Sequence, residues 1–307
     1  MSLAILCSGQ GAQHPAMLDM IANHPAAMEV IKAGEAELGF HLRDVLAQRD
    51  EIFRNAIAQP LICLTQLALW TALRQDAPKP AAFCGYSIGE LSAYACAGAL
   101  DAAGLARIAA ARAALMDRAA ATTPSGLLAL QGLRRGEVDH LCAVHRAWVA
   151  IAIGEDEFVI GGEDSALKIL GTVFVERGAK LTQLKVGLAS HTPLLSDAVQ
   201  PFRALLTASA LTAPATPVVA GIDAAWVVRR ETAIEKLALQ LDHTIAWSGC
   251  LDMLYERGCR VFLELGPGRA LARMMQSRYG DVDARAVDDF RSLDGVSSWL
   301  AKHTPGF

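Results

Sequence analysis

Ala81-Ala82-Phe83-Cys84-Gly85-Tyr86-Ser87-Ile88-Gly89-Glu90-Leu91 is the stretch on which the fold turns. A short apolar run, 81–84, reads as a buried strand, and Leu91–Gly98 is Ala-rich and stopped by glycine, as a buried helix would be. Between them lies G-x-S-x-G. In a chain with 25 glycines that pattern alone arises by chance. A strand before it and a helix after it are the context a nucleophile elbow requires. The flanking glycines allow a crowded turn that throws the Ser87 hydroxyl clear of the backbone, and the helix aims its positive end at the same spot.

Working outward, Leu3–Cys7 is a second buried strand, and it runs into Ser8-Gly9-Gln10-Gly11. Those glycines let backbone approach a ligand closely, so Gln10 could supply an oxyanion N–H beside that of Ile88. A plain flexible turn is the other reading of this loop. Leu61–Leu73 has helical spacing, and a further Ala-rich helix runs from Asp101, a good N-cap, to about Ala121 before Thr122-Thr123-Pro124. On it Leu105, Ile108, Arg112 and Leu115 fall on one stripe, which places an arginine on an apolar face. A buried guanidinium needs an anion, yet no carboxylate shares that stripe. Either an acid elsewhere in the fold pairs with Arg112, or a substrate does.

From 125 to 190 the texture changes. Leu127–Leu133 reads as a strand, Glu137–Arg146 as a helix, and Trp148–Ile153 with Phe158–Gly161 as a hairpin. A helix capped by Asp164 or Ser165 and a strand over Leu181–Val186 complete β-α-β-β-α-β, a ferredoxin-like unit of inserted-subdomain size. After it come helices over Leu194–Ala210, Thr232–Leu241 and Trp247–Arg257, and a strand at Val218–Ile222. A strand at Cys259–Leu265 then runs into Gly266-Pro267-Gly268 and a helix over Arg269–Arg278. The fold class is therefore α/β: residues 1–124 and 191–307 form a core with a parallel, helix-covered sheet, interrupted by the insertion 125–190.

A serine nucleophile needs a base. His14, His24, His41, His140 and His145 read as loop or exposed helix positions, and His303 as tail. His191 follows a strand in Ala189-Ser190-His191-Thr192-Pro193, where the insertion rejoins the core, and such junctions favour sites. No Asp or Glu stands at a strand end between Ser87 and His191. A Ser–His dyad, its imidazole oriented by a backbone carbonyl, is expected rather than a triad.

The chain has 307 residues, with 28 basic and 32 acidic side chains and a net charge of −4. That balance gives no nucleic-acid footprint, and a 53% hydrophobic composition excludes disorder. Seven scattered cysteines without C-x-x-C spacing point to a reducing compartment, with no metal site. Met1–Cys7 is too short and uncharged for a signal peptide, and no apolar run approaches the ~20 residues needed to cross a bilayer. A cytoplasmic protein without membrane partners is expected.

Taken together, Gly9-Gln10-Gly11-Ala12-Gln13, Gln59-Pro60, Gly85-Tyr86-Ser87-Ile88-Gly89-Glu90, Arg112, Ser190-His191 and Gly266-Pro267-Gly268 resemble the malonyl-CoA:acyl-carrier-protein acyltransferase family. The resemblance spans roughly residues 3 to 275. It implies an α/β-hydrolase-like core with a ferredoxin-like insertion, no bound cofactor, malonyl-CoA as donor and a carrier-protein prosthetic thiol as acceptor. It also implies Ser87 as nucleophile, His191 as base, Gln10 and Ile88 as oxyanion donors, Arg112 as the malonyl carboxylate ligand, and Ala246 as the residue whose carbonyl orients the histidine. Tyr86 replaces the family's usual His. Asp242-His243-Thr244-Ile245-Ala246-Trp247 departs from the family's usual segment before Trp, with no role implied for His243. These departures resemble the epsilon-subunit branch of malonate decarboxylase, whose partner is that complex's own acyl-carrier subunit. A housekeeping malonyl transacylase of fatty-acid or polyketide synthesis, a serine thioesterase and a non-catalytic homologue are the competing readings.

Overall fold

Parallel pairing fixes where the elbow sits. The computed structural model describes residues 2–48 and 50–304, so Met1 and 305–307, the ends of the two expected core segments, lie outside the described residues. In chain order the strands are β1 (Ser2–Cys7), β2 (Ala82–Gly85), β3 (Ser125–Gln131), β4 (Ala147–Ala152) and β5 (Glu157–Glu163). They continue with β6 (Lys180–Gln183), β7 (Val218–Val219), β8 (Trp226–Val227), β9 (Cys259–Leu265) and β10 (Asp283–Ala286). The larger sheet has the order β10-β9-β1-β2-β7-β8. It is parallel except for β8, which pairs antiparallel with β7. β1 lies between β2 and β9 with helices on both faces, so Leu3–Cys7 is buried throughout and reads as an unbroken apolar run.

The second sheet, β4-β5-β3-β6, is antiparallel and is the ferredoxin-like order expected of the insertion. Its helices Arg135–His145 and Asp164–Glu176 cover one face around Phe158, Ile160, Leu170 and Phe174. The other face meets the core through Leu127, Ile151 and Val159, which pack in one cluster with Ile245 and Trp247. The helix at 164 begins after Glu163 with no side-chain cap, so neither Asp164 nor Ser165 is its N-cap.

Several elements escape the sequence pattern. The helix Pro25–Leu38 fully buries just Ala27, Ile31 and Gly34, one large apolar residue between two small ones. A Cβ on Gly34 would stand 2.3 Å from Leu64 Cδ1, so close helix packing explains the glycine. β10 reads Asp-Ala-Arg-Ala, without a β-branched side chain. The expected strand Val218–Ile222 shrinks to two residues, and the strand expected over Leu181–Val186 ends at Gln183. His303 is not tail; it closes the helix Leu293–His303. The helix Asn55–Leu73 begins six residues before its expected start. At 19 residues with a mean hydropathy of 1.5 it is long and apolar enough to cross a membrane, against the sequence expectation. It is instead 83% buried, packed against the helices Pro25–Leu38, Gly89–Cys96 and Ala102–Ala120.

Candidate active site

The two glycines of the elbow are there because backbone occupies the space of their side chains. A Cβ on Gly85 would lie 2.1 Å from the Gly89 carbonyl and the Glu90 nitrogen, and one on Gly89 would lie 2.2 Å from Cys7 O. The turn thus folds onto itself and against the end of β1. Ser87 is forced to φ 57°, the left-handed region that a non-glycine residue adopts at a cost of order 1–3 kcal/mol. Its hydroxyl donates to His191 Nε2 at 2.8 Å.

His191 also sits at positive φ, 63°. Its N–H donates to Leu241 O at 2.8 Å, and its Nδ1–H donates to Gln240 O at 2.6 Å. That second bond fixes the tautomer, leaving the Nε2 lone pair to face Ser87. Only 1% of the residue is exposed, and burial pushes its pKa down to about 3, helped by the charge of Arg112 and opposed by the Gln240 carbonyl. The imidazole is neutral and ready to take a proton.

The orienting carbonyl belongs to Gln240, not to Ala246. Ala246 starts the helix Trp247–Glu256, where its carbonyl accepts from Cys250 N at 3.1 Å and its N–H donates to Gly221 O. The helix has already claimed that oxygen. His243 stands exposed, with Nδ1 bonded to Asp242 Oδ1 at 2.6 Å, and takes no part in the dyad. Tyr86 packs edge-on against Trp247, ring centroids 5.1 Å apart, and burial raises its hydroxyl pKa.

Arg112 is buried, at 2% exposure. Nη1 donates to Gln59 Oε1 and Nη2 to Gln240 Oε1, both at 2.9 Å. Among the described residues it forms no ion pair. Of the two partners left open by the pattern, an acid from elsewhere is absent, and neutral amide oxygens stand in its place. Burial lowers its pKa to about 10, opposed by Cys63 and Glu90, so the charge persists.

Gln240 and Glu90 were not anticipated as site residues. The Gln240 side-chain oxygen accepts from Arg112, while Nε2 donates to Ser87 O at 3.2 Å and to Glu90 Oε2 at 2.6 Å. Glu90 is fully buried, and burial raises its pKa to about 7 against the pull of Gly221 N–H, Gln240, Arg112 and Lys236. A signal for Gln240 was present in the sequence. It follows Ala233 and Leu237 at i+7 and i+3, a polar residue on an apolar stripe, as Arg112 is on its own helix.

The Gln10 loop reaches the same place. A Cβ on Gly9 would lie 2.9 Å from Tyr86 O, and Tyr86 N donates to Cys7 O at 2.9 Å. Among the described residues neither the Gln10 nor the Ile88 N–H donates to a protein oxygen. Gln10 lines a cavity of about 280 Å³ with Phe53, Asn55 and Val186–Leu188, the chain leading to His191. A larger one of about 540 Å³ lies beside His14 and Arg269, and among the described residues neither cavity is lined by Ser87 or His191.

Comparison with known proteins places the chain in a family. The chain is 27% identical over 302 residues to a malonyl CoA-acyl carrier protein transacylase of Salmonella typhimurium, covering 95% of this chain and 98% of that one. A Mycobacterium bovis protein of the same description is 29% identical over 301 residues, covering 96% and 99%. A malonyl-transacylase solved with its type II PKS acyl-carrier protein superposes with a TM-score of 0.92 at 26% identity, covering 97% of this chain and 99% of that one. A malonyl-CoA:acyl carrier protein transacylase of Helicobacter pylori gives 0.92 at 26% identity, covering 99% and 100%. The family profile described as "Acyl transferase domain" matches residues 5–290, and the chain belongs to that family.

Proposed function

We propose that this protein is a malonyl-CoA:acyl-carrier-protein S-malonyltransferase, acting in two half-reactions through a malonyl ester on Ser87. The observation that carries the reading is a buried, charged Arg112 whose partners among the described residues are amide oxygens, linked through one glutamine to the Ser87–His191 dyad. Its guanidinium has N–H groups to spare for a carboxylate, which malonyl carries and acetyl lacks. The relatives, malonyl CoA-acyl carrier protein transacylases among them, support the same donor and acceptor. Residues 1–124 and 191–307 act as the acyltransferase core, and 125–190 as an insertion forming one wall of the cleft.

In the first half-reaction the Ser87 hydroxyl passes its proton to His191 Nε2 as Oγ bonds to the thioester carbon. The oxygen that gains charge is held by the N–H groups of Ile88 and Gln10. When the C–S bond breaks, His191 returns the proton to the departing CoA sulfur. In the second, the carrier thiol gives its proton to His191 and attacks the ester, and Ser87 leaves with that proton. The Gln240 carbonyl holds the imidazole throughout and stabilises its protonated form.

The finer assignment is to malonate decarboxylase, as the epsilon subunit loading that complex's acyl-carrier subunit in the cytoplasm. Tyr86 and the 242–247 segment support this branch over the housekeeping transacylase. The test is intact-mass spectrometry after mixing with malonyl-CoA. One malonyl adduct is expected on the wild type and none on Ser87→Ala, and chase with the two kinds of carrier thiol separates the branches. An adduct that persists in Ser87→Ala overturns the mechanism, and turnover to free malonate without a carrier favours the thioesterase.

A further inference from the structure

Glu90 is a buried carboxylate one residue beyond the elbow, and the reaction just described does not use it. Its Oε2 accepts from the Gly221 N–H at 3.0 Å and from Gln240 Nε2 at 2.6 Å, while Oε1 has no partner among the described residues. A primary amide has two ends of nearly equal shape. Turned over, the Gln240 side chain would present N–H groups to the guanidinium of Arg112, donor against donor. A carboxylate oxygen that already accepts from Gly221 admits only the N–H end, so its contact leaves one orientation, with the amide oxygen on Arg112. The 3.2 Å bond from Nε2 to Ser87 O favours the same orientation but is longer and has no charge behind it.

We propose that Glu90 is a positioning residue for substrate selection: by anchoring the Gln240 amide it holds Arg112 where an incoming acyl carboxylate meets it. This rests on the reading of Arg112 as the carboxylate ligand. The His191 branch is separate, because the carbonyl that orients the imidazole is main chain at the end of the helix Arg230–Leu239, tied by Gln240 N to Lys236 O at 2.9 Å. Loss of Glu90 therefore strikes malonyl recognition and spares the nucleophile.

The experiment compares wild type, Glu90→Ala and Glu90→Gln in two reactions of Ser87: loading from malonyl-CoA, and labelling by a neutral fluorophosphonate that has no carboxylate. Glu90→Ala should lower kcat/KM for malonyl loading about 10- to 100-fold, mainly through KM, as loss of a charge-assisted bond implies. Fluorophosphonate labelling should stay within about threefold. Glu90→Gln keeps an oxygen for the same two N–H groups and should regain most of the loading. If Glu90→Ala does not fold, Glu90→Met replaces it, since it fills a similar volume without an acceptor oxygen, and the same malonyl-specific loss is expected. Unchanged malonyl loading in the folded variant, or equal losses in both reactions, overturns the proposal. A wild type that takes the fluorophosphonate but no malonyl overturns the reading of Arg112 itself, and this inference with it.

Discussion

At Arg112 a full positive charge is held by the amide oxygens of Gln59 and Gln240, a resting state in which no anion is displaced when a carboxylate arrives. Malonyl gains a charge-assisted fork, whereas acetyl leaves a buried cation no better paired than before. Arg112→Ala should therefore lower malonyl transfer about 10²- to 10³-fold while acetyl transfer holds or rises. Lysine should restore part of it, keeping charge without the fork. Equal loss for both acyl groups, in steady-state rates with the two CoA esters, would instead make Arg112 a structural cation. The same charge reaches the base. His191 is pushed down to about 3 by burial first and by Arg112 second, and a bound carboxylate cancels the second cause. Since only the neutral imidazole takes a proton, activity falls as pH drops through its pKa. The acid limb of kcat should thus lie at higher pH than that of kcat/KM, and the kcat/KM limb should fall below the ordinary histidine range. Coincident limbs near 6.5 in both profiles would mean that His191 is not the buried, charge-depressed base seen here.

The elbow is the element on which the geometry depends, and Gly89 is where it meets the central strand. Its missing Cβ leaves 2.2 Å to Cys7 O and 2.6 Å to Ser8 O, backbone atoms of the central strand's end that have no rotamer to change. Gly89→Ala should cost about 1–3 kcal/mol or more, seen as a lower Tm, and should remove activity by moving Ser87 away from His191. A wild-type Tm with full activity would show that the turn has slack. That pair of glycines is also why so much was legible in the sequence. Strand, G-x-S-x-G and helix are local features, and so are the capping of Ala102–Ala120 by Asp101, whose side chain accepts from Gly104 N, and the hairpin of β4 and β5. Arg112 was legible because a charge on an apolar stripe breaks a local period. Gln240 was not placed at the dyad because its contribution there is a carbonyl, which every residue owns. Only the meeting of the turn after Leu239 with the 189–193 loop, 49 positions away, selects that oxygen over that of Ala246. The two-residue strands Val218–Val219 and Trp226–Val227 were hidden for a different reason, being too short for any period to register.

Across the whole molecule the core carries charge that it does not neutralise, and this should appear as pH-dependent stability. Glu264, next to the end of β9, accepts from Ala272 N at 2.8 Å through Oε2, and its Oε1 has no partner among the described residues. Burial raises its pKa from 4.5 to about 7, Asp288 and Asp289 adding to the rise and the N–H groups of Ala272 and Leu271 opposing it. A carboxyl whose folded pKa exceeds its unfolded one binds its proton more tightly in the native state. Its contribution to stability is fully present below 4.5 and is lost as pH climbs through about 7. Glu90 acts in the same direction, and His191, with its folded pKa depressed, acts in the opposite one. Glu264→Gln leaves those two groups unchanged, so the difference between variant and wild type isolates Glu264. Near pH 4.5 the protonated acid and the amide are close equivalents, and the two melting temperatures should nearly coincide. Above the folded pKa the wild type must hold a buried carboxylate that the variant lacks, and the linkage integral over that window is about 3 kcal/mol. For a chain of this size that is a rise of roughly 5 °C in Tm. A Tm difference that stays constant from acid to pH 8, or that favours the wild type increasingly as pH rises, would show that Glu264 is ionised and well paired in the fold, with its unbonded oxygen solvated after all.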